Sequence, residues 1–120
     1  SPLQAYQDIV PFLRALGGSK LQIYDPYYCN GAVVKNLESL GFPNVYNKKE
    51  DCYEVWKSST RYPNFDILIT NPPYSADHME KLMAHITSSS FGQRPWMLLL
   101  PQFVHKKDYF LKTTSKIQPF

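Results

Sequence analysis

The run Asn71-Pro72-Pro73-Tyr74 holds the residues best suited to chemistry. Asn71 brings a side-chain carbonyl that accepts and an amide that donates. The two prolines have no N–H and stiffen the chain, while their carbonyls stay free to accept. Tyr74 adds a flat ring for stacking on a planar group. Together these parts make a receptor for a planar amino group. Asn71 Oδ1 and the Pro72 carbonyl can each take one N–H, which draws out the nitrogen lone pair for attack. A rigid turn after a buried strand would account for the prolines but not for the amide and the ring beside them.

A second polar run, Asp25-Pro26-Tyr27-Tyr28-Cys29-Asn30-Gly31, leads toward a helical pattern. A loop at a helix start offers free N–H groups and the positive end of the helix dipole, which suit a carboxylate or phosphate. Asp25 can bind an ammonium group or orient the loop. An Asp-Pro turn that merely caps the next helix is the plainer reading of this stretch alone. Of Tyr27 and Tyr28, one is expected to pack on the sheet and the other to line a pocket.

Asn71-Pro72-Pro73-Tyr74 resembles the (N/D)PP(Y/F) motif of S-adenosylmethionine-dependent amino-methyltransferases, which act on adenine N6, on other exocyclic base amines, or on a glutamine amide. Asp25 to Gly31 is similar to their cofactor loop, commonly DPFxGSG. The two motifs stand in the family order, 46 residues apart, and the likeness runs from about residue 20 to about residue 112. The resemblance implies S-adenosyl-L-methionine as cofactor. Asp25, Pro26, Tyr27, Tyr28, Cys29, Asn30 and Gly31 would contact its methionine moiety. Asn47, with Glu50 nearby, would stand where the family holds the ribose hydroxyls. Asp51 and Cys52, with Tyr53, resemble the stretch that meets the adenine amino group. Asn71, Pro72 and Pro73 would bind the target nitrogen, and Tyr74 would stack on the target base. No metal is implied. Positioning and altered hydrogen bonding of the amine supply the catalysis.

The chain departs from the family pattern at two places. Cys29 replaces a loop glycine, and Asn47 replaces an acid. A non-catalytic, methyltransferase-like binding module is therefore the alternative to an enzyme. Another nucleotide-binding α/β enzyme is a third class, but it leaves Asn71 to Tyr74 idle. Among substrates, adenine or another base amine in nucleic acid leads, with RNA and DNA both open, and a protein glutamine follows.

Several elements must hold these loops in place. Leu3, Tyr6, Val10 and Leu13 recur at helical spacing, with Pro11 predicting a kink or a restart near Asp8. Gly17-Gly18 ends that helix. Residues 21–25 read as a strand ending at Pro26, and Val33, Val34, Leu37 and Leu40 as a helical stripe stopped by Gly41. Residues 44–47 read as a short strand and 53–59 as a short helix. Residues 65–70 form an apolar strand, followed by a helical stripe of Met79, Leu82, Met83 and Ile86. Residues 96–100 are another apolar strand. Residues 102–116 read as helical, with Phe103, Tyr109 and Phe110 as core contacts.

Strands alternate with helices, and their continuous apolar character marks a parallel sheet buried on both faces. The expected architecture is a Rossmann-like α/β sheet of about five mainly parallel strands, lacking the last two strands of the seven-stranded fold. Ligands then bind beyond the carboxyl ends of the strands, where both polar runs lie. A partner or dimer contact is expected at the open sheet edge left after the last strand.

Composition sets the remaining bounds. The 120 residues suit one domain spanning 1–120. A 43% hydrophobic share against 19% charged residues excludes a disordered chain. No apolar run nears the roughly 20 residues of a membrane helix. Two cysteines, Cys29 and Cys52, give neither a disulfide framework nor a zinc spacing. With no secretory leader in view, an intracellular setting is expected. His78, His85 and His105 are not spaced as a metal cluster. The net charge of +3 belongs wholly to the tail: nine basic and nine acidic residues precede Gln102, and four lysines against Asp108 follow. That basic tail could help hold a phosphate backbone, and a solvated helix face is the plainer reading of the tail alone.

Overall fold

The computed structural model describes residues 2–28, 31–73, 75–101, 107–113 and 116–119. Four parallel strands form the centre of the sheet: β1 (Ile23–Tyr24), β2 (Val45–Tyr46), β3 (Ile67–Thr70) and β4 (Trp96–Pro101). Four helices connect or precede them: α1 (Pro2–Leu16), α2 (Ala32–Ser39), α3 (Cys52–Trp56) and α4 (Ala76–Ile86). The chain is thus an α/β protein, and its parallel sheet is compatible with a Rossmann-like fold.

Side-chain alternation along the strands produces two cores. Ile23, Ile67, Ile69, Met97 and Leu99 join Ala5, Tyr6, Ile9 and Leu13 of α1 and Leu37 of α2. Tyr24, Leu68, Trp96 and Leu98 join Leu82 and Ile86 of α4, with Trp56 of α3 packed alongside. Every residue of β3 is buried. Burying one such aliphatic side chain stabilises the fold by about 1.5–3 kcal/mol. The strand is therefore held firmly from both sides, and it ends directly at Asn71.

The sheet order is β2-β1-β3-β4, continued by β5 (Lys107–Thr113) and β6 (Lys116–Pro119). The chain steps from β1 outward to β2, then returns to the other side of β1 to make β3. The direction of winding therefore reverses between β1 and β3, and a crevice opens above their carboxyl ends. Ile23 pairs with both Val45 and Ile67, so the three strands start level, and β3 runs two residues past the Tyr24–Leu68 pair to Thr70.

Local signals set the element ends. After α2, Gly41 adopts a left-handed backbone (φ 99°), its N–H bonding Glu38 O and the Phe42 N–H bonding Leu37 O. That pair of bonds satisfies the last helix carbonyls, and glycine takes this conformation without steric cost. Asp51 caps α3 by accepting from the Tyr53 N–H, and Ser75 caps α4 by accepting from the His78 N–H.

The structure corrects three expectations. Pro11 neither breaks nor restarts α1, which is continuous over 15 residues. Pro11 lies on the exposed side of the helix, so the carbonyl left without its N–H can turn to water. The expected helix over 102–116 is replaced by β5 and β6; residues 102–106, with Phe103 and His105, lie outside the described set. Tyr109, Phe110 and Thr113 are strand-favouring types, and pairing with β4 outweighs the helix-like charge spacing. The sheet accordingly has six strands rather than five. The edge of β4 is not open: β5 runs antiparallel to it from Trp96↔Lys112 to Pro101↔Lys107, and β6 pairs antiparallel with β5. That edge, the place expected to meet a partner, is filled by the chain's own hairpin.

Candidate functional site

The crevice between β1 and β3 brings the two polar runs together. Asp25 follows β1 and is buried. Its Oδ1 accepts from Thr70 Oγ1 at 2.7 Å and from the Tyr27 N–H at 3.0 Å. Thr70 is the last residue of β3, so one bond joins the start of the first loop to the residue before Asn71. Burial pushes the Asp25 carboxyl up to about 7, against the lowering effect of those two donors. No basic side chain pairs with it among the described residues. A buried carboxyl without a cation is poised to ionise when an ammonium group arrives.

Asn47 sits one residue beyond β2 and is also buried. Its Nδ2 donates to the carbonyls of Asp25 at 3.0 Å and Tyr27 at 3.2 Å. The amide thus braces the first loop against β2. Its Oδ1 is buried and has no hydrogen-bond partner. Such an orphaned acceptor usually costs about 1–3 kcal/mol, which a ligand hydroxyl would relieve. Glu50 accepts from the Tyr46 hydroxyl at 2.8 Å.

Gly31 begins α2 in the left-handed region (φ 79°), and a Cβ there would meet the Tyr28 hydroxyl at 3.2 Å. The position favours glycine on both counts. Pro26 is buried, Tyr27 half-buried and Tyr28 exposed. Tyr27 also packs against the core formed by the β1, β3 and β4 side chains facing α4. Asp51 spends one oxygen on the α3 cap. The Cys52 thiol is buried and pushed up to about 12 by that burial, so only its backbone suits a ligand contact. Asn71 is exposed at the mouth, Pro72 is buried beneath it, and Pro73 is half-buried. Cys29, Asn30 and Tyr74 lie outside the described residues.

Three rings converge above the strand ends. The hydroxyls of Tyr27 and Tyr53 share a hydrogen bond at 3.0 Å, and the Tyr53 hydroxyl in turn bonds His78 Nδ1. The Tyr53 and His78 rings stack at 5.7 Å. The Lys81 ammonium lies 4.8 Å from the Tyr53 ring centre. Each ring comes from a different connection: the loop after β1, helix α3 and helix α4. Burial raises both tyrosine hydroxyls above their ordinary range.

Comparison with protein-family models, with curated proteins and with solved structures gives no match to this chain.

A groove of about 430 Å³ runs beside edge strand β2, lined by Asn44, Tyr46, Asn47 and Lys48 among others. Asn47 connects it to the crevice, but neither Asp25 nor Asn71 lines it. Among the described residues no group of three His, Cys, Asp or Glu side chains could hold a metal ion. Nor is any described helix long and apolar enough to cross a membrane.

The sequence reading passed over Thr70 and treated His78 as unremarkable. A threonine closing an apolar strand beside Asn71 was the available signal for the first. For His78, the signal was its place in the first turn of the helix after Tyr74. His85, by contrast, is structural. It stacks on Trp56 at 4.1 Å, bonds the Tyr62 hydroxyl at 2.6 Å, and is held down to about 4 by burial and by Arg94.

Proposed function

We propose that this chain is a Rossmann-like methyltransferase domain that uses S-adenosyl-L-methionine to methylate an amino nitrogen, with a base amine in nucleic acid as substrate. The observation that carries the reading is the Thr70–Asp25 hydrogen bond at 2.7 Å, which sets the two motif-like loops side by side at the reversal point of the sheet.

The described residues fit such a cofactor. Asp25 offers a buried carboxyl to an ammonium group, and the Asn47 Oδ1 offers an unfilled acceptor to a hydroxyl. When bound, the cofactor supplies an electrophilic methyl group on a sulfonium. The protein's part is to place and activate the amine. Asn71 Oδ1 and the Pro72 carbonyl accept its N–H groups, fix its plane, and leave the lone pair directed outward. Pro72, buried over β3, makes that acceptor rigid. Accepting bonds that strengthen as the nitrogen gains positive charge favour the transition state over the ground state.

Asn71→Ala tests the assignment. Methyl-labelled cofactor is supplied with adenine-containing single-stranded RNA, the matching DNA, or a glutamine-containing peptide. The variant is expected to lose transfer by at least 100-fold while cofactor affinity, measured by calorimetry, stays within threefold. Undiminished turnover refutes the role. A second reading, a binding module without catalysis, draws on Asn47, whose amide is tied to two backbone carbonyls where an acid would grip two hydroxyls. Failure of the folded chain to bind S-adenosylmethionine would decide for that reading.

A further inference from the structure

The groove of about 430 Å³ along edge strand β2 has the size of a small-molecule site, and it lies outside the crevice. We propose that this groove binds a nucleotide, with Lys48 taking the phosphate and the carboxamides of Gln22 and Asn64 reading the base. The site stands whether or not the crevice transfers a methyl group.

The lining is sorted along the strand. Lys48 lies just past the carboxyl end of β2. Its ammonium sits 4.7 Å from the Tyr46 ring centre, and it pairs with no carboxylate among the described residues. The ring contact holds the side chain in place and leaves its N–H groups able to donate. No described Asp or Glu lines the groove. Glu50 is turned to the Tyr46 hydroxyl, from which it accepts at 2.8 Å. The Arg61 guanidinium is near enough to act on that hydroxyl, and it has no salt bridge among the described residues. A phosphate here meets a cation with no competing acid in the lining.

The other end carries amides. Gln22 and Asn44 stand just before β1 and β2, and Asn64 shortly before β3. Asn44 Nδ2 donates to the Ser19 carbonyl at 3.1 Å, which fixes its Oδ1 as an acceptor suited to a sugar hydroxyl. The side chains of Gln22 and Asn64 are exposed, and neither carboxamide is bonded among the described residues. Each offers a donor beside an acceptor, the pattern that pairs with the edge of a nucleobase. The backbone beneath them is fixed, since the Gln22 N–H donates to Asp66 Oδ2 at 2.8 Å and its carbonyl accepts from the Asp66 N–H at 2.8 Å.

A simple anion would leave the amides idle, and a neutral sugar would leave Lys48 idle. A phosphate joined through a sugar to a base uses both ends. A free nucleotide and a nucleotide within an RNA strand offer this same chemistry.

Calorimetry on the full chain at low salt compares adenosine monophosphate, adenosine, inorganic phosphate and an adenine-containing RNA oligonucleotide. Adenosine monophosphate is expected to bind at least tenfold more tightly than phosphate or adenosine. Lys48→Gln should weaken it at least tenfold, while the NMR shifts that adenosine causes in the Gln22 and Asn64 side-chain amides stay as they were. Gln22→Ala combined with Asn64→Ala should weaken it at least fivefold. All three side chains are exposed, so the urea midpoint should not move. RNA bound more tightly than the free nucleotide, with the same losses, makes the strand the source of the ligand. RNA bound no better makes it the free nucleotide. No binding of either, phosphate binding as tightly as adenosine monophosphate, or an affinity within twofold in Lys48→Gln overturns the proposal. Displacement of the nucleotide by S-adenosylmethionine also overturns it, because the nucleotide would then occupy the crevice.

Discussion

The two faces of the sheet are built from different materials. Under α1 and α2 the core is mostly aliphatic: Ile9, Leu13, Leu21, Ile23, Leu37, Ile67 and Ile69 meet with Tyr6 and Phe42 as buried rings, and Phe12 packs alongside. Under α3 and α4 the buried set holds Tyr24, Phe65, Phe91 and Trp96, with Tyr27, Tyr46, Trp56 and Tyr62 packed against it. Rings with polar tips can bury their bodies and still carry hydrogen bonds toward the strand ends. Trp56 Nε1 donates to the Tyr24 hydroxyl at 3.0 Å, and Tyr62 bonds His85. Arg94 lies 4.1 Å from the Phe65 ring centre and donates to the Phe91 carbonyl. One face therefore supplies support, while the other supplies both support and the walls of the crevice.

The sharpest way to break this contrast is on the aliphatic side. Leu13 is wholly buried between α1 and the sheet. Leu13→Ala is expected to cost about 2–5 kcal/mol, read as a lowered urea midpoint. Under the proposed function, affinity of the folded fraction for S-adenosylmethionine should not change, because the loss lies on the supporting face.

Asp25 stands between the faces and gives a pH signature. Its folded-state value near 7 lies above the ordinary carboxylate range, so the unfolded chain releases its proton first as pH rises. The contribution is fully present below about pH 4 and is lost as pH climbs through 7. Asp25→Asn keeps an acceptor for Thr70 and Tyr27 but cannot ionise. Stability measured at pH 5 and pH 8 should fall in the parent protein by on the order of a few kcal/mol. In the variant the slope from this residue should vanish. An unchanged slope would mean that Asp25 is solvated or already paired.

The smallest expected effect tests the aromatic face. Trp56→Phe keeps a ring against His85 but removes the donor to Tyr24. A loss of about 1 kcal/mol is expected by urea denaturation. A loss several times larger would show that the stack itself, at 4.1 Å, is the principal contribution.

Much of this architecture was legible before any coordinates. Residues 65–70 are mostly apolar and 96–100 wholly so, the pattern of strands buried on both faces. The stripe Met79, Leu82, Met83, Ile86 matches α4 because helical spacing persists over about two turns. The tail failed for the opposite reason. Its lysines and aromatics fit two periodicities, and only the unpaired edge of β4, a feature far away in sequence, decides between them. The same distinction runs through the site. Asp25 and Asn71 were visible from their loop sequences. The bonds that relate them were not, since Thr70–Asp25 spans 45 residues and Tyr53–His78 spans 25. Residue type announces what a side chain can do, while its partner is chosen by the sheet order.

The β5–β6 hairpin has a consequence for solubility. Trp96 to Leu100 is the most apolar strand sequence in the chain, and its outer edge carries a row of N–H and C=O groups. The ladder from Trp96↔Lys112 to Pro101↔Lys107 occupies that row. A chain cut after Pro101 would present it bare, as a template for a neighbouring molecule's strand. The new outermost strand instead carries Lys116 and ends at Pro119, and a charge and a missing N–H both discourage further pairing. The short basic tail thus acts as a gatekeeper, keeping this sheet from growing from one molecule into the next.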